Sequence, residues 1–222
     1  MTRTNWAAVT AVVLALLFAG AATVASAGRE DSPRASATPT ADSAEAGFAR
    51  DMAVHHQQAV EMSFLVRDST DDEEVRRLAY DIANTQANQR GMLLGWLDMW
   101  KLPKISTDQE PMAWMARDGG HAGMDGMDHG AHEVRDGSLM PGMATKTELE
   151  ALRTAKGEKA EILYLQLMTD HHKGGVTMAE GCAELCEVDT ERALAEGMVS
   201  AQQSELDLMA DLLKARGAKP RT

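Results

Sequence analysis

The chain carries one sequence pattern twice, and this duplication limits the possible folds more than any other feature. Residues 48–62 align without a gap on residues 164–178, so that each position is displaced by 116. Each copy contains Met-x-x-His-His followed by a further Met, and the correspondence continues downstream, where Gln86 matches Gln202. A unit that occurs twice along a chain is expected to fold in the same way in both copies.

Each copy has the pattern of a helical hairpin. Its apolar residues recur at helical spacing, and a short acidic turn divides it at residues 69–74 in the first copy and 187–190 in the second. Asp and Thr in these turns are expected to cap the helices that follow. One amphipathic hairpin cannot bury its own apolar face, so we predict an all-α protein in which two hairpins pack as a four-helix bundle.

The charge of the chain argues against nucleic acid as a partner. Its 222 residues include 34 acidic and 22 basic side chains, which gives a formal net charge of −12, and no stripe of Lys or Arg stands out. A phosphate backbone requires such a basic surface. The chain also has 15 methionines, and methionine serves either as adaptable core packing or as a ligand for soft metal ions.

The N-terminal segment has the features of a signal peptide. Arg3 precedes an apolar run over residues 6–22, and Ala25-Ser26-Ala27 supplies the small residues that a signal peptidase recognises. We predict a signal peptide over residues 1–27. A retained membrane anchor is the alternative and would be the only contact with a membrane. The protein is therefore expected to be exported, and to be periplasmic, secreted or on the cell surface.

Composition divides the rest of the chain into a tether and a duplicated domain. Residues 28–44 are rich in small and charged residues without apolar periodicity, which predicts a disordered tether. The bundle is expected over residues 45–216. Within it we assign residues 45–101 to the first hairpin, 102–147 to a linker rich in Met and His, and 148–216 to the second hairpin. A short turn near residues 112–117 and a short helix near 148–154 are expected between the hairpins.

The duplicated motif places imidazole and thioether groups on one helix face. At about 100° per residue the members of each copy fall within an arc of about 120°. The two sets are Met52, His55, His56 and Met62, and Met168, His171, His172 and Met178. Such ligands suit copper, and Cu(I) in particular favours the sulfur. Each methionine alone could equally be core packing, and each histidine could be a satisfied core residue.

The second helix of each hairpin carries polar residues on its apolar face. Gln86 and Gln89 belong to this face in the first copy, and Gln202 and Glu205 in the second. Buried amides and carboxylates need hydrogen-bond partners, and the imidazole N–H groups are the obvious ones. The small Gly175 should allow a neighbouring helix to approach closely. Imidazoles with ordinary pKa values should bind metal more strongly as the pH rises from about 5 to 7.

The linker adds a second set of soft ligands. It holds three Met-x-x-Met pairs with three histidines among them, namely Met112, Met115, Met124, Met127, Met140 and Met143, with His121, His129 and His132. A polar, Gly-rich segment has no core to fill, so we interpret these residues as metal ligands on a mobile segment. A binding patch for a protein partner is the alternative. Cys182 and Cys186 form either a disulfide or a pair of thiol ligands.

The doubled motif, with Met seven residues after the first His and Gln on the following helix, resembles the bacterial family named domain of unknown function 305. The resemblance covers residues 44–216 and implies a ferritin-like bundle, export, and, for some members, binding of copper or silver in metal resistance. It also implies that the histidines and methionines of both motifs are candidate ligands. The chain departs from the family pattern at Val54 and Asp170, which precede the histidine pairs.

We therefore expect an extracytoplasmic metal-binding protein without catalytic activity. Its metal would be copper, as Cu(I), with silver or another soft transition metal as an alternative ion. Its role would be buffering, chaperoning or resistance. A ferritin-like oxidase is a weaker alternative, because it would require Glu-x-x-His pairs and Met or other residues precede these histidines. A structural or interaction module of the envelope, whose His and Met residues merely pack, is the third alternative.

Overall fold

The structure, a computed structural model, describes residues 38–116 and 136–221. These residues form five α-helices and one turn of 3-10 helix, and none of them forms a β-strand. The elements are α1 (Ala44–Arg67), α2 (Glu73–Trp100), the 3-10 helix (Ala113–Ala116), α3 (Lys146–Thr154), α4 (Glu158–Leu185) and α5 (Asp189–Ala215). None of these helices is long and apolar enough to cross a membrane.

The four long helices form the predicted bundle from two hairpins. Helix α1 packs against α2, α4 packs against α5, and α1 and α4 pack against each other. The two helices that carry the motif are therefore the central pair. They run antiparallel, because Met52 near the start of α1 shares a cluster with Met178 near the end of α4, while Met62 shares another with Met168.

Local hydrogen bonds explain where most of the helices begin. The side chains of Ser43 and Asp72 accept hydrogen bonds from backbone N–H groups in the first turns of α1 and α2, and Thr145 forms a capping box with Glu148 at the start of α3. The expected side-chain cap of α5 is wrong, because Val188 is the capping residue and makes no such bond. Instead, Glu45 from α1 accepts hydrogen bonds from the backbone N–H groups of residues 187 and 188.

The buried side chains form two clusters separated by a polar layer. The aliphatic cluster includes Met62, Val66, Ile82, Leu165, Met168, Met209 and Leu213. The methionine-rich cluster includes Phe48, Met52, Leu93, Leu97, Trp114, Met140, Met178 and Met198. Each fully buried side chain of this size contributes about 1.5–3 kcal/mol. Burial of the two clusters is therefore the main favourable contribution to the stability of the bundle.

The described parts of the linker are ordered against the bundle, which corrects the expectation of a mobile segment for these residues. Asp51 accepts hydrogen bonds from the backbone N–H of Met112 at 2.8 Å and from the indole Nε1 of Trp114 at 2.9 Å. Trp114 is buried and packs edge-on against Phe48. The expected short turn and short helix are confirmed as the 3-10 helix and α3.

Some expectations fall on residues that the structure does not describe. These are the signal peptide or anchor over residues 1–27, nearly all of the tether over residues 28–44, and the linker ligands His121, Met124, Met127, His129 and His132. The helices of the bundle extend from Ala44, where α1 starts, to Ala215, where α5 ends.

Candidate metal centre

The four motif histidines meet at the centre of the bundle and are completely buried. The rings of His55 and His171 lie against each other, with 3.7 Å between their centroids and a tilt of 32°. The Nε2 atom of His171 lies 3.0 Å from the carbonyl oxygen of His55. The duplication thus brings equivalent histidines from α1 and α4 into direct contact.

The other two histidines contact the second helix of their own hairpins. His56 Nε2 lies 2.9 Å from Gln89 Oε1, and His172 Nε2 lies 2.7 Å from Glu205 Oε2. Both pairs are separated by 33 residues, so they occupy equivalent positions in the two copies. The predicted bonding of imidazoles to polar groups on α2 and α5 is observed at Gln89 and Glu205.

These contacts fix the tautomers of three histidines. A carbonyl, an amide oxygen and a carboxylate can only accept hydrogen bonds, so His56, His171 and His172 each donate from Nε2. A neutral imidazole with its proton on Nε2 has a lone pair on Nδ1. All three Nδ1 atoms are buried without a hydrogen-bond partner, and both ring nitrogens of His55 are also unpartnered.

Burial keeps the imidazoles of His55, His56 and His171 neutral. Loss of solvation lowers the pKa of His55 and of His56 to about 3 and lowers the pKa of His171 well below its ordinary value. The lone pairs of His55 and His56 are therefore available at any pH above about 5. The expected gain in metal affinity between pH 5 and 7 assumed ordinary imidazole pKa values, and the lowered pKa values of His55, His56 and His171 remove that basis for these three residues.

Thioether groups lie on both sides of the histidines. Met52 and Met178 belong to the methionine-rich cluster, and Met62 and Met168 belong to the aliphatic cluster. All four are completely buried. Each side of the histidine layer therefore receives one motif methionine from each copy, as the antiparallel pairing of α1 and α4 requires.

The described linker methionines also reach the bundle. Met140 is buried in the methionine-rich cluster, and Met112, Met115 and Met143 pack against it. The argument that linker methionines have no core to fill is therefore wrong for these four residues. Packing accounts for their position, and whether they also bind metal stays a prediction.

Residues 138–144 form a strap across α4 beside the histidines. Gln58 holds the strap through two hydrogen bonds to the backbone of Ala144, one to its carbonyl at 2.9 Å and one from its N–H at 2.6 Å. A Cβ atom at Gly174 would collide with the carbonyl oxygen of Pro141. That carbonyl is close enough to His55 to raise its pKa slightly against the larger effect of burial, although neither ring nitrogen makes an ordinary hydrogen bond.

Two amides of the polar layer lack partners. Both amide atoms of Gln86 and the Oε1 atom of Gln202 are buried without a hydrogen bond, so the expected bonds to histidine are absent at these positions. Gln202 approaches α4 where predicted, since a Cβ atom at Gly175 would lie 2.5 Å from its Oε1. The amide oxygens of both residues therefore keep lone pairs that no protein group occupies.

Sequence reasoning missed two buried polar residues of the bundle. Gln58, which holds the strap, lies one turn after His55 and differs from the surface glutamines only in its burial. Glu191 is completely buried with both carboxylate oxygens unpartnered. It corresponds to Val75 in the first copy, and this exchange of an apolar residue for a charged one was the available signal.

The two cysteines are not available as thiol ligands. Cys182 and Cys186 form a disulfide at the end of α4, with 4.9 Å between their Cα atoms, so in this state they offer no thiolate. Within residues 38–116 and 136–221, no three His, Cys, Asp or Glu side chains are grouped to hold a metal ion. Any ligands beyond two imidazoles at one interior site would have to come from other groups, such as methionine sulfur or amide oxygen.

The fold and its interior define a class of protein: a duplicated helical-hairpin bundle lined by neutral imidazoles and thioethers. The sequence profile of the domain of unknown function DUF305 matches residues 45–213. The chain belongs to the DUF305 family, as its motif indicated. No curated protein sequence matches it.

Solved structures of similar proteins agree with this assignment. A DUF305 protein from Streptomyces coelicolor, provisionally described as secreted, has 60% identity over 82% of this chain and 99% of its own, with a TM-score of 0.71. A DUF305 fragment from Deinococcus radiodurans has 26% identity over 78% of this chain and 96% of its own, with a TM-score of 0.59.

A more distant neighbour is CopM, whose Cu(I)-bound form has 19% identity over 76% of this chain and 94% of its own, with a TM-score of 0.53. CopM structures are also known with Cu(II), with silver and in the apo form. At this identity the likeness shows a shared fold. Its ligands are properties of CopM.

Proposed function

We propose that this protein binds copper outside the cytoplasm, as Cu(I) and with Ag(I) as a close substitute, and serves as a buffer, chaperone or resistance protein. The observation that carries the proposal is the set of three buried imidazoles that donate from Nε2 and leave Nδ1 without a partner. A buried polar atom left unpaired costs about 1–3 kcal/mol. Bound metal ions would give these lone pairs the partners that they lack.

The surrounding groups favour a soft ion. Met52 and Met178 on one side of the histidines, and Met62 and Met168 on the other, offer sulfur without charge. Thioether and neutral imidazole together suit Cu(I) and Ag(I), whereas Mg²⁺ and Ca²⁺ require several oxygen ligands. Copper and silver forms of the distant neighbour CopM support the same class of metal.

The linker methionines and histidines are proposed as the route by which the ion reaches this interior. Met140 is already seated in the methionine-rich cluster, and Met112, Met115 and Met143 lie at its edge. Ligands on the undescribed part of the linker, among them His121, Met124 and His132, would capture the ion first.

The cellular location follows from the N-terminal segment and is part of the proposal. A signal peptide or anchor over residues 1–27, followed by a tether over residues 28–44, would deliver the bundle to the periplasm, cell surface or medium. The provisional description of the Streptomyces coelicolor relative as secreted supports this, and so does the Cys182–Cys186 disulfide, which an oxidising compartment permits.

The function is tested by titrating the purified protein with Cu(I) against a competing chelator. The double variant His56→Ala/His172→Ala removes two of the unpartnered Nδ1 atoms, and we expect it to weaken binding by at least about tenfold, or about 1.4 kcal/mol. The matched control is Gln57→Ala/Lys173→Ala, which alters the exposed residues that follow each pair. Parent-like affinity in the histidine variant would show that His56 and His172 are not ligands.

A further inference from the structure

The two halves of the histidine layer differ in charge at one equivalent position. His56 donates to the neutral amide of Gln89, and His172 donates to the carboxylate of Glu205. The two contacts have the same sequence separation and use the same ring nitrogen, so charge is the main difference between them. We call His56 with Gln89 the first half-site and His172 with Glu205 the second half-site.

Glu205 acts on the interior although it does not face the histidine lone pairs. Its side chain is only 23% exposed, while His172 is completely buried. Its negative charge also helps to raise the pKa of the buried Tyr164, after the larger effect of burial. The negative charge of Glu205 therefore acts on buried groups of the interior, because the low dielectric there strengthens electrostatic interactions.

A carboxylate behind a ligand histidine changes the ion that the histidine prefers. When the imidazole N–H donates to a carboxylate, the opposite nitrogen becomes more basic and the negative charge offsets that of the metal. This effect is larger for a dication than for a monocation. A neutral amide orients the ring in the same way but supplies no charge.

Building on the proposed function, we propose that Glu205 is a positioning residue that sets the oxidation state of the bound copper. The second half-site, through His172 and Glu205, favours Cu(II), and the neutral first half-site favours Cu(I) and Ag(I). The duplicated protein would thus accept copper in both oxidation states and not in the reduced form alone. No methionine is required for this difference, because both half-sites have equivalent motif methionines.

The variant Glu205→Gln tests the proposal and copies the residue found in the first copy. Cu(II) and Ag(I) are titrated separately into the purified protein. We expect the variant to bind Cu(II) about 10- to 100-fold more weakly and Ag(I) within about threefold of the parent. If Cu(I) binding is likewise unchanged, each tenfold loss of Cu(II) affinity raises the one-electron reduction potential of the bound copper by about 59 mV.

The reverse variant Gln89→Glu gives an independent readout. It should strengthen Cu(II) binding, and the exchange Gln89→Glu/Glu205→Gln should restore Cu(II) affinity while altering the electron paramagnetic resonance spectrum of the bound ion. Melting curves check that each variant folds. If Glu205→Gln does not fold, Gln89→Glu decides the question.

Two outcomes separate this inference from the function on which it rests. If the parent binds neither Ag(I) nor Cu(I), the proposed function fails. If the parent binds Ag(I) and Cu(II), but Glu205→Gln and Gln89→Glu change neither affinity or change both equally, the function stands and the role of Glu205 is refuted.

Discussion

The rings of His55 and His171 lie 3.7 Å apart, and the Nε2 atom of His171 donates to the backbone carbonyl of His55. The two residues are equivalent in the duplication, yet the structure gives no reciprocal bond, and both ring nitrogens of His55 remain unpartnered. The centre of the bundle is therefore symmetric in its residues and asymmetric in its hydrogen bonds. His55 is the histidine with the fewest restraints on its ring.

Replacing Glu191 with valine should stabilise the protein. Glu191 is buried without partners, and burial, assisted by the nearby Glu45, raises its pKa to about 9. The folded state keeps the proton, whereas the unfolded chain loses it above the ordinary value of 4.5, so the carboxyl becomes more destabilising as the pH rises. We expect Glu191→Val, which restores the residue at the equivalent Val75, to gain about 3 kcal/mol at pH 7 and about 1 kcal/mol at pH 5.

Denaturant unfolding at both pH values measures this difference. A stabilisation that is equal at pH 5 and pH 7 would mean that Glu191 is ionised in the folded state, and that the gain comes from packing alone.

The apo protein should lose stability in mild acid through its histidines. The unfolded chain takes up protons on His55 and His56 below the ordinary value of 6.5, but the folded bundle resists this down to about pH 3. Stability is therefore lost as the pH falls through 6.5, by about 2 kcal/mol for each of the two groups between pH 7 and 5.

The Glu191→Val background is used for this measurement, because Glu191 changes stability in the opposite direction over the same range. In that background, His55→Gln/His56→Gln should remove about 4 kcal/mol of the acid-induced loss. An identical pH dependence with and without the two histidines would contradict their low pKa values.

Replacing Gly174 with alanine should destabilise the folded protein. A Cβ atom there would collide with the carbonyl oxygen of Pro141 in the strap, and two backbone segments have little freedom to separate. We expect Gly174→Ala to lower the free energy of unfolding by about 1–3 kcal/mol. Gly91→Ala on α2 is the matched control, since its Cβ meets nothing within 4 Å and should stabilise the helix by about 1 kcal/mol. Equal effects of the two variants on the free energy of unfolding would contradict the close approach of the strap to Gly174.

Met140 should contribute to metal binding and not only to packing. The variant Met140→Leu retains the volume in the methionine-rich cluster at a cost below about 1.5 kcal/mol but removes the sulfur. We expect Ag(I) affinity to fall by at least about tenfold, with little change for Zn²⁺, which makes little use of thioethers. Met209→Leu, buried in the aliphatic cluster, should bind Ag(I) like the parent. Equal losses in both variants would indicate an effect of packing.

The sequence predicted the features that arise from periodicity and duplication. The displacement of 116 residues identified two hairpins, and helical spacing placed His55 and His56 on the same face as Met52 and Met62. The contacts of His56 with Gln89 and of His172 with Glu205 were also foreseeable, because each partner lies on the inner stripe of the next helix. All of these relationships join neighbouring helices at regular spacing.

Features that depend on distant, irregular contacts could not be predicted. Gln58 binds Ala144 across 86 residues, and Glu45 caps α5 across 142 and 143 residues, in both cases without a repeating pattern. The packing of Met140 follows from the strap and was therefore missed. Tautomers and pKa values depend on complete burial and on the identity of each acceptor, which composition does not specify.

The central claim is that the Nδ1 lone pairs of buried histidines bind the metal, and nitrogen NMR of the histidine rings tests it most directly. In the apo protein labelled with ¹⁵N-histidine, His56, His171 and His172 should show the tautomer protonated on Nε2. Addition of Ag(I) should then move the Nδ1 resonances of His56 and His172, with coupling to silver, while their Nε2 atoms stay protonated. Silver bound with these Nδ1 resonances unchanged would contradict the account.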